Sequence, residues 1–393
     1  MWVYVLTLYL TYVRSEVVIT NSDPVTLKDF SISDYITTCG YPFELHSNLQ
    51  TEDGYLLDLH RIPFGKNDQF KDNNKSVVLL MHGLLGSSEN FVILGCERGL
   101  AFMLADNGYD VWMGNARGSA HSRKHIRMDP DKDANFWNFS WHEIALFDVA
   151  GKVNYIRSYT KEQKLFYVGH SQGTTVYFVL NSLRPEYNDY FHAMAALAPI
   201  AFLSTKKNEH FVNHFVENGI KKLVSEVGMG ELKPSKDRAF CIDLGQLSGL
   251  CSNIIHLMNF KPEEIEVDVY GRSEQTFPAG GSVKQFLHYA QEYISGRFCQ
   301  YDHGSEENLK LYGNKDPPSY SIKKISSPIG IYCGVDDILS TPKNVEKLEE
   351  KLPNISNKLF LDNFTHFDFL ISTDAVDLLY IPIIEEFKKI NPL

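Results

Sequence analysis

The sequence predicts an α/β protein: a mostly parallel sheet with helices on both faces, carrying an inserted, mainly helical cap. Three observations predict it. From Val77 onward short apolar runs alternate with longer stretches of helical spacing, the rhythm of βαβ units. Several of those runs are apolar without alternation, as strands covered on both faces must be. The rhythm then stops over residues 202–321 and resumes afterwards, which places an insertion inside one core.

In chain order, residues 2–13 are almost wholly apolar or aromatic, too short to span a bilayer but right for the apolar part of a signal peptide. Residues 1–15 are therefore expected to be removed between Ser15 and Glu16, with Arg14 and the missing basic start as departures from the usual pattern. Residues 16–201 and 322–393 form the core. Its strands are read at 77–81, 109–113, 165–168, 193–197, 329–333 and 358–361. After the third of these, Val176, Val179, Leu180 and Leu183 recur at helical spacing and predict a crossover helix with one apolar face. Residues 202–321 hold charged helical stretches broken at Pro278-Ala279-Gly280-Gly281 and Pro317-Pro318, and are read as the cap, with a lid over residues 230–259. The chain closes on an amphipathic helix over 374–390, with Val376, Leu379, Tyr380, Ile383 and Phe387 on one face and a kink at Pro382.

Composition bounds the function. With 44% hydrophobic and 22% charged residues in 393, the chain can bury a sizeable core. Its 38 basic against 49 acidic residues give a net charge of -11, no footprint for a polyanion, so nucleic acid is not an expected partner. After the leader no stretch reaches 18 consecutive apolar residues, and no transmembrane segment is expected. Aromatics are not concentrated in the cap, which has 14 of the 50, so they do not mark a lipid surface. Export predicts glycans and disulfides. The candidate acceptors are Asn74, Asn138, Asn354 and Asn363. Of six cysteines, Cys241 and Cys251 are the only close pair, and Cys39, Cys96, Cys299 and Cys333 are left as paired or buried free thiols.

Gly169-His170-Ser171-Gln172-Gly173 fits G-x-S-x-G between a predicted strand and a predicted helix. Such a sharp turn strains the backbone and presents the serine hydroxyl to a cleft, which makes Ser171 the candidate nucleophile. A hydroxyl needs a base within reach and a carboxylate to orient that base, expected in the chain order Ser, acid, His. His366 follows the last strand and is the candidate base. The strand at 329–333 runs into Asp336 and Asp337, and spacing alone leaves both as the acid. His82-Gly83 after the first core strand suggests an oxyanion loop, with the backbone N–H groups of Leu84 and Gln172 as donors. His121 and His125 lie four apart but lack the following Glu of a metalloprotease helix and are read as a chance pair, and Asp148 is read as structural.

These motifs resemble the animal acid lipases, the group containing gastric and lysosomal acid lipase and insect relatives. The resemblance is carried by Gly40-Tyr41-Pro42, Thr51-Glu52-Asp53-Gly54-Tyr55, His60-Arg61-Ile62-Pro63, His82-Gly83-Leu84-Leu85, Gly108-Tyr109-Asp110-Val111-Trp112-Met113-Gly114-Asn115, Arg117-Gly118 and Gly169 to Thr175. It implies an α/β-hydrolase core with a cap and lid, acting on triacylglycerol or cholesteryl ester at a lipid-water interface without cofactor or metal. It assigns Ser171 as nucleophile, His366 as base, Leu84 and Gln172 as oxyanion donors, and, by the register of Asp337-Ile338-Leu339 with Pro342, Asp337 as acid. It also implies a lid disulfide between Cys241 and Cys251. Leu247, Leu250, Ile254 and Leu257 would give the lid an apolar face that covers Ser171 in water and turns to lipid at an interface. The product would be secreted, or lysosomal. An exported esterase or thioesterase for smaller esters, and a non-catalytic lipid carrier on the same scaffold, are the competing readings.

Overall fold

Residues 30–67, 75–203, 220–234 and 265–392 are described by a computed structural model. The leader and its cut, Asn74, Cys241, Cys251, the lid residues Leu247, Leu250, Ile254 and Leu257, and most of residues 230–259 lie outside the described residues.

The strands are β1 (Glu44–Gln50), β2 (Tyr55–Ile62), β3 (Val77–Met81), β4 (Asp110–Gly114), β5 (Lys124–His125), β6 (Leu165–His170), β7 (Phe191–Leu197), β8 (Glu231–Leu232), β9 (Gly281–Ser282), β10 (Ile329–Gly334) and β11 (Ile355–Leu361). The main sheet has the order β1-β2-β4-β3-β6-β7-β10-β11, with β5 on β2. From β4 to β11 every pairing is parallel, while β1, β2 and β5 join antiparallel. The helices used below are α1 (Ile32–Thr38), α2 (Leu100–Asp106), α3 (Ala150–Thr160), α4 (Gln172–Leu183), α5 (Ile220–Val227), α6 (Val267–Thr276), α7 (Val283–Ser295), α8 (Ser305–Tyr312), α9 (Pro342–Glu349) and α10 (Ile381–Ile390).

Successive strand residues serve opposite faces, and here both faces are dry. Leu79, Met81, Trp112, Tyr167, Ala196 and Ile331 pack with α3 and α4 on one side. Val78, Leu80, Val111, Phe166, Val168, Ala195 and Tyr332 pack with α1, α2 and α10 on the other. A third cluster joins Ile220 and Leu223 of α5, Leu232, and Val283, Phe286 and Ala290 of α7 to Leu85, so α5 and α7 rest on the loop after β3.

The structure corrects several sequence expectations. β1 and β2 are absent from the sequence reading: β1 is a half-exposed edge rich in polar residues, and in β2 Asp58, His60 and Arg61 interrupt the apolar run. β6 runs on to His170 because Gly169 and His170 still pair with Ala196 and Leu197. β11 starts at Ile355 because Ile355 and Asn357 already pair with Ile329 and Gly330, while the polar Ser356 and Asn357 give no apolar run. α4 does not have one apolar face: residues Gln172 to Ser182 are all buried, and only Leu183, at its last position, is exposed at 37%. The closing helix is irregular where a kink is expected, and the helical run 375–390 is continuous. A π-helical turn, Val376–Tyr380, leads directly into α10 just before Pro382, whose missing N–H removes one bond from the continuous ladder.

Candidate active site

β6 lies in the middle of the parallel sheet, and its last residue leads directly into Ser171 and α4. Ser171 sits at φ 52° and ψ -119°, a strained conformation for a residue with a side chain, and its N–H donates to Leu197 O at 2.9 Å. Two glycines make the turn possible. A Cβ on Gly169 would lie 2.6 Å from the Gly173 carbonyl carbon, and one on Gly173 would lie 2.1 Å from Met81 O. Neither backbone can give way, so both positions exclude any side chain.

His366 stands in the turn after β11, and Asp337 in the turn after β10. The imidazole bridges the other two groups: His366 Nδ1–H donates to Asp337 Oδ2 at 2.7 Å, and Nε2 accepts from Ser171 Oγ–H at 2.8 Å. The proton positions follow from chemistry, because an ionised carboxylate only accepts. Asp337 Oδ1 takes the N–H groups of Leu339 and Ser340 at 2.8 and 2.9 Å, which curls its side chain inward. Asp337 and His366 are each 2% exposed and Ser171 9%. Asp336, the competing acid of the sequence reading, is exposed, and its N–H is spent on Phe364 O.

Gly83 flanks the nucleophile so closely that a Cβ there would meet Ser171 Cβ at 3.1 Å. Next to it is the N–H of Leu84. Across the turn, Gln172 is the first residue of α4, where an N–H has no intrahelical acceptor. Among the described residues neither group donates to a backbone carbonyl, so both remain available to a negative oxygen.

Two more histidines border the site, His170 beside the nucleophile and His82 of the candidate oxyanion loop, and sequence reasoning gave neither side chain a role. His170 Nε2–H donates to the carbonyl of His366 at 2.8 Å, and its ring lies 5.1 Å from the His366 ring. His82 Nε2 accepts from Ala116 N–H, so its Nδ1–H donates to Gly83 O at 2.8 Å. Burial pushes His170 down to about 3, with the neighbouring His366 a smaller cause, and His82 down to about 4. Both rings are neutral holders of backbone.

The remaining sequence candidates go elsewhere. Asp148 is fully buried and holds the Arg117 guanidinium, Nε to Oδ1 at 2.7 Å, while Asp53 takes its other end. His121 pairs with Glu89 at 2.7 Å and His125 Nε2 meets Asp53 O at 2.9 Å, so they share no face. Cys39 and Cys96 form a disulfide, with Cα atoms 5.1 Å apart, and Cys299 and Cys333 are buried free thiols. Asn138, Asn354 and Asn363 are exposed, and Asn363 is three residues from His366.

A strand-elbow-helix serine on a mostly parallel sheet, bonded to a histidine from the last strand's turn, defines the alpha/beta hydrolase class. The alpha/beta hydrolase fold family matches residues 76–373, and a partial alpha/beta-hydrolase lipase region matches residues 32–95. Lipase 3 of Drosophila melanogaster is 37% identical over 362 residues, covering 89% of this chain and 91% of its own. Gastric triacylglycerol lipase of Rattus norvegicus is 36% identical over 364 residues, 90% of each chain. A thermophilic esterase from Thermogutta terrifontis superposes with a TM-score of 0.53 at 16% identity over 88% of this chain and 99% of its own, a likeness of fold. The chain belongs to the lipase family of alpha/beta hydrolases.

Proposed function

We propose that this chain is an exported lipase that hydrolyses carboxylic esters of neutral lipids, triacylglycerol or cholesteryl ester, through an acyl-enzyme on Ser171. The observation that carries the reading is the unbroken chain Ser171 Oγ, His366, Asp337, at 2.8 and 2.7 Å, in a protein 36% identical over 364 residues to a triacylglycerol lipase. Ser171 Oγ attacks the ester carbonyl as His366 Nε2 takes its proton, and Asp337 holds the resulting imidazolium. The N–H groups of Leu84 and Gln172 receive the developing oxyanion. Collapse expels the alcohol, protonated by His366, and leaves the acyl group on Ser171. Water, deprotonated by the same imidazole, then releases the fatty acid and restores the hydroxyl.

Export is supported by the leader-like start and by the Cys39–Cys96 disulfide, which persists in oxidising compartments. No helix among the described residues is long and apolar enough to cross a membrane. In this reading residues 202–321 are the cap, residues 230–259 the lid with its Cys241–Cys251 bridge, and Asn74, Asn138, Asn354 and Asn363 the glycan acceptors. The secreted space is favoured, with the lysosome the alternative.

The test is labelling with a fluorophosphonate probe. Wild type and Asp336→Asn are expected to label and Ser171→Ala not to label; absence of labelling in folded wild type would favour a non-catalytic lipid carrier.

A further inference from the structure

We propose that the segment 279–285 keeps the oxyanion site assembled, with Gln285 as a positioning residue for the hydrolytic step; this rests on the lipase reading above. The segment reaches both sides of the nucleophile. On one side, Ala279 N–H donates to Leu85 O at 2.6 Å, while Ala279 O accepts from Ala120 N–H at 2.7 Å. Leu85 follows the donor residue Leu84 and is held at φ 59°, a left-handed conformation that a leucine keeps only under external restraint. On the other side, Gln285 Nε2–H donates to Gln172 Oε1 at 3.1 Å. The direction of that bond is fixed, because Gln285 Oε1 already accepts from Ser282 N–H at 2.9 Å, closing the capping box of α7. Gln285 is 3% exposed and Gln172 2%, so water does not replace either partner.

Each proposed oxyanion donor thus belongs to a tight turn that is tied by one hydrogen bond to the same short segment of the insertion. An oxyanion donor contributes only if it is in place before charge develops. A tether that fixes it acts on the transition state and leaves the binding of the neutral ester unchanged.

The experiment compares kcat and KM on a dispersed ester, and inhibition by an alkyl trifluoromethyl ketone, for wild type, Gln285→Leu and Gln285→Glu. The ketone forms a hemiketal oxyanion on Ser171 and reads the site directly. Both variants are expected to lower kcat about tenfold to a hundredfold near neutral pH and to weaken the ketone by a similar factor. KM should stay within roughly twofold, since an interaction made only in the transition state is lost. Gln285→Glu keeps the acceptor for Ser282 N–H, so it decides the matter if Gln285→Leu does not fold. Its kcat, relative to wild type, should recover as acid protonates the carboxyl and restores a donor toward Gln172. A kcat within about twofold of wild type in Gln285→Glu across this range, or a loss confined to KM, would overturn the proposal. Ser171→Ala run alongside separates the two readings: if it is inactive the lipase reading stands whatever Gln285 does, and if it still hydrolyses ester both fall.

Discussion

At the scale of single residues, the pair Asp336 and Asp337 shows what sequence could and could not decide. Both follow β10 and either could follow a strand end as a carboxylate. Successive side chains diverge, however, and which one turns inward depends on the N–H groups of Leu339 and Ser340, which reach Asp337 alone. Asp337→Asn is expected to lower kcat by about a thousandfold to ten-thousandfold, because the amide disfavours the imidazole tautomer that accepts from Ser171. Asp336→Asn should leave kcat within about twofold, as measured on one soluble ester. Ser171 was legible because its chemistry is local: two glycines, a strand before and a helix after. His170 and Gln285 were not, since their partners lie 196 and 113 residues away along the chain.

Among the elements, α7 carries a pH signature. Glu292 on this helix is 2% exposed and neither carboxylate oxygen has a hydrogen-bond partner. Lys347 of α9 faces it but spends its Nζ on Gly296 O, and Cys299 and Tyr289 add no cation. Burial therefore holds the carboxyl well above its ordinary value of 4.5, with Lys347 opposing weakly. In the unfolded chain the group ionises from about pH 4.5 upward, whereas in the folded chain it stays protonated, so the folded state loses stability as pH rises through that window. Glu292→Gln should match wild type in Tm at pH 4, to within about a degree, and exceed it by a few degrees at neutral pH. Equal Tm at both pH values would contradict the burial argument. The same scale shows where pattern reading fails: β1 and the start of β11 escaped because exposed, polar edges carry no apolar run, and α4 looked one-sided although the sheet and its neighbouring helices cover it all round.

For the whole molecule, the parallel sheet was legible from uninterrupted apolar strands. The disulfide was not, because six cysteines permit many pairings and only the fold brings Cys39 at the end of α1 to Cys96 after β3. That bridge closes a 57-residue separation, worth about 4 kcal/mol by unfolded-chain entropy. Replacing both cysteines by alanine should lower the urea midpoint accordingly while leaving the hydrolysis rate per folded molecule unchanged, since the bridge joins the end of α1 to the segment after β3 and touches none of Ser171, Asp337 and His366. The central claim is that Ser171 hydrolyses neutral lipid esters. Its most direct measurement is fatty-acid release from emulsified triacylglycerol and cholesteryl ester, with a short soluble ester in parallel, for wild type and Ser171→Ala. The account predicts that wild type releases fatty acid from at least one emulsified lipid faster than acid from the soluble ester, and that Ser171→Ala releases none. Turnover confined to the soluble ester, or equal release by both proteins, would contradict it.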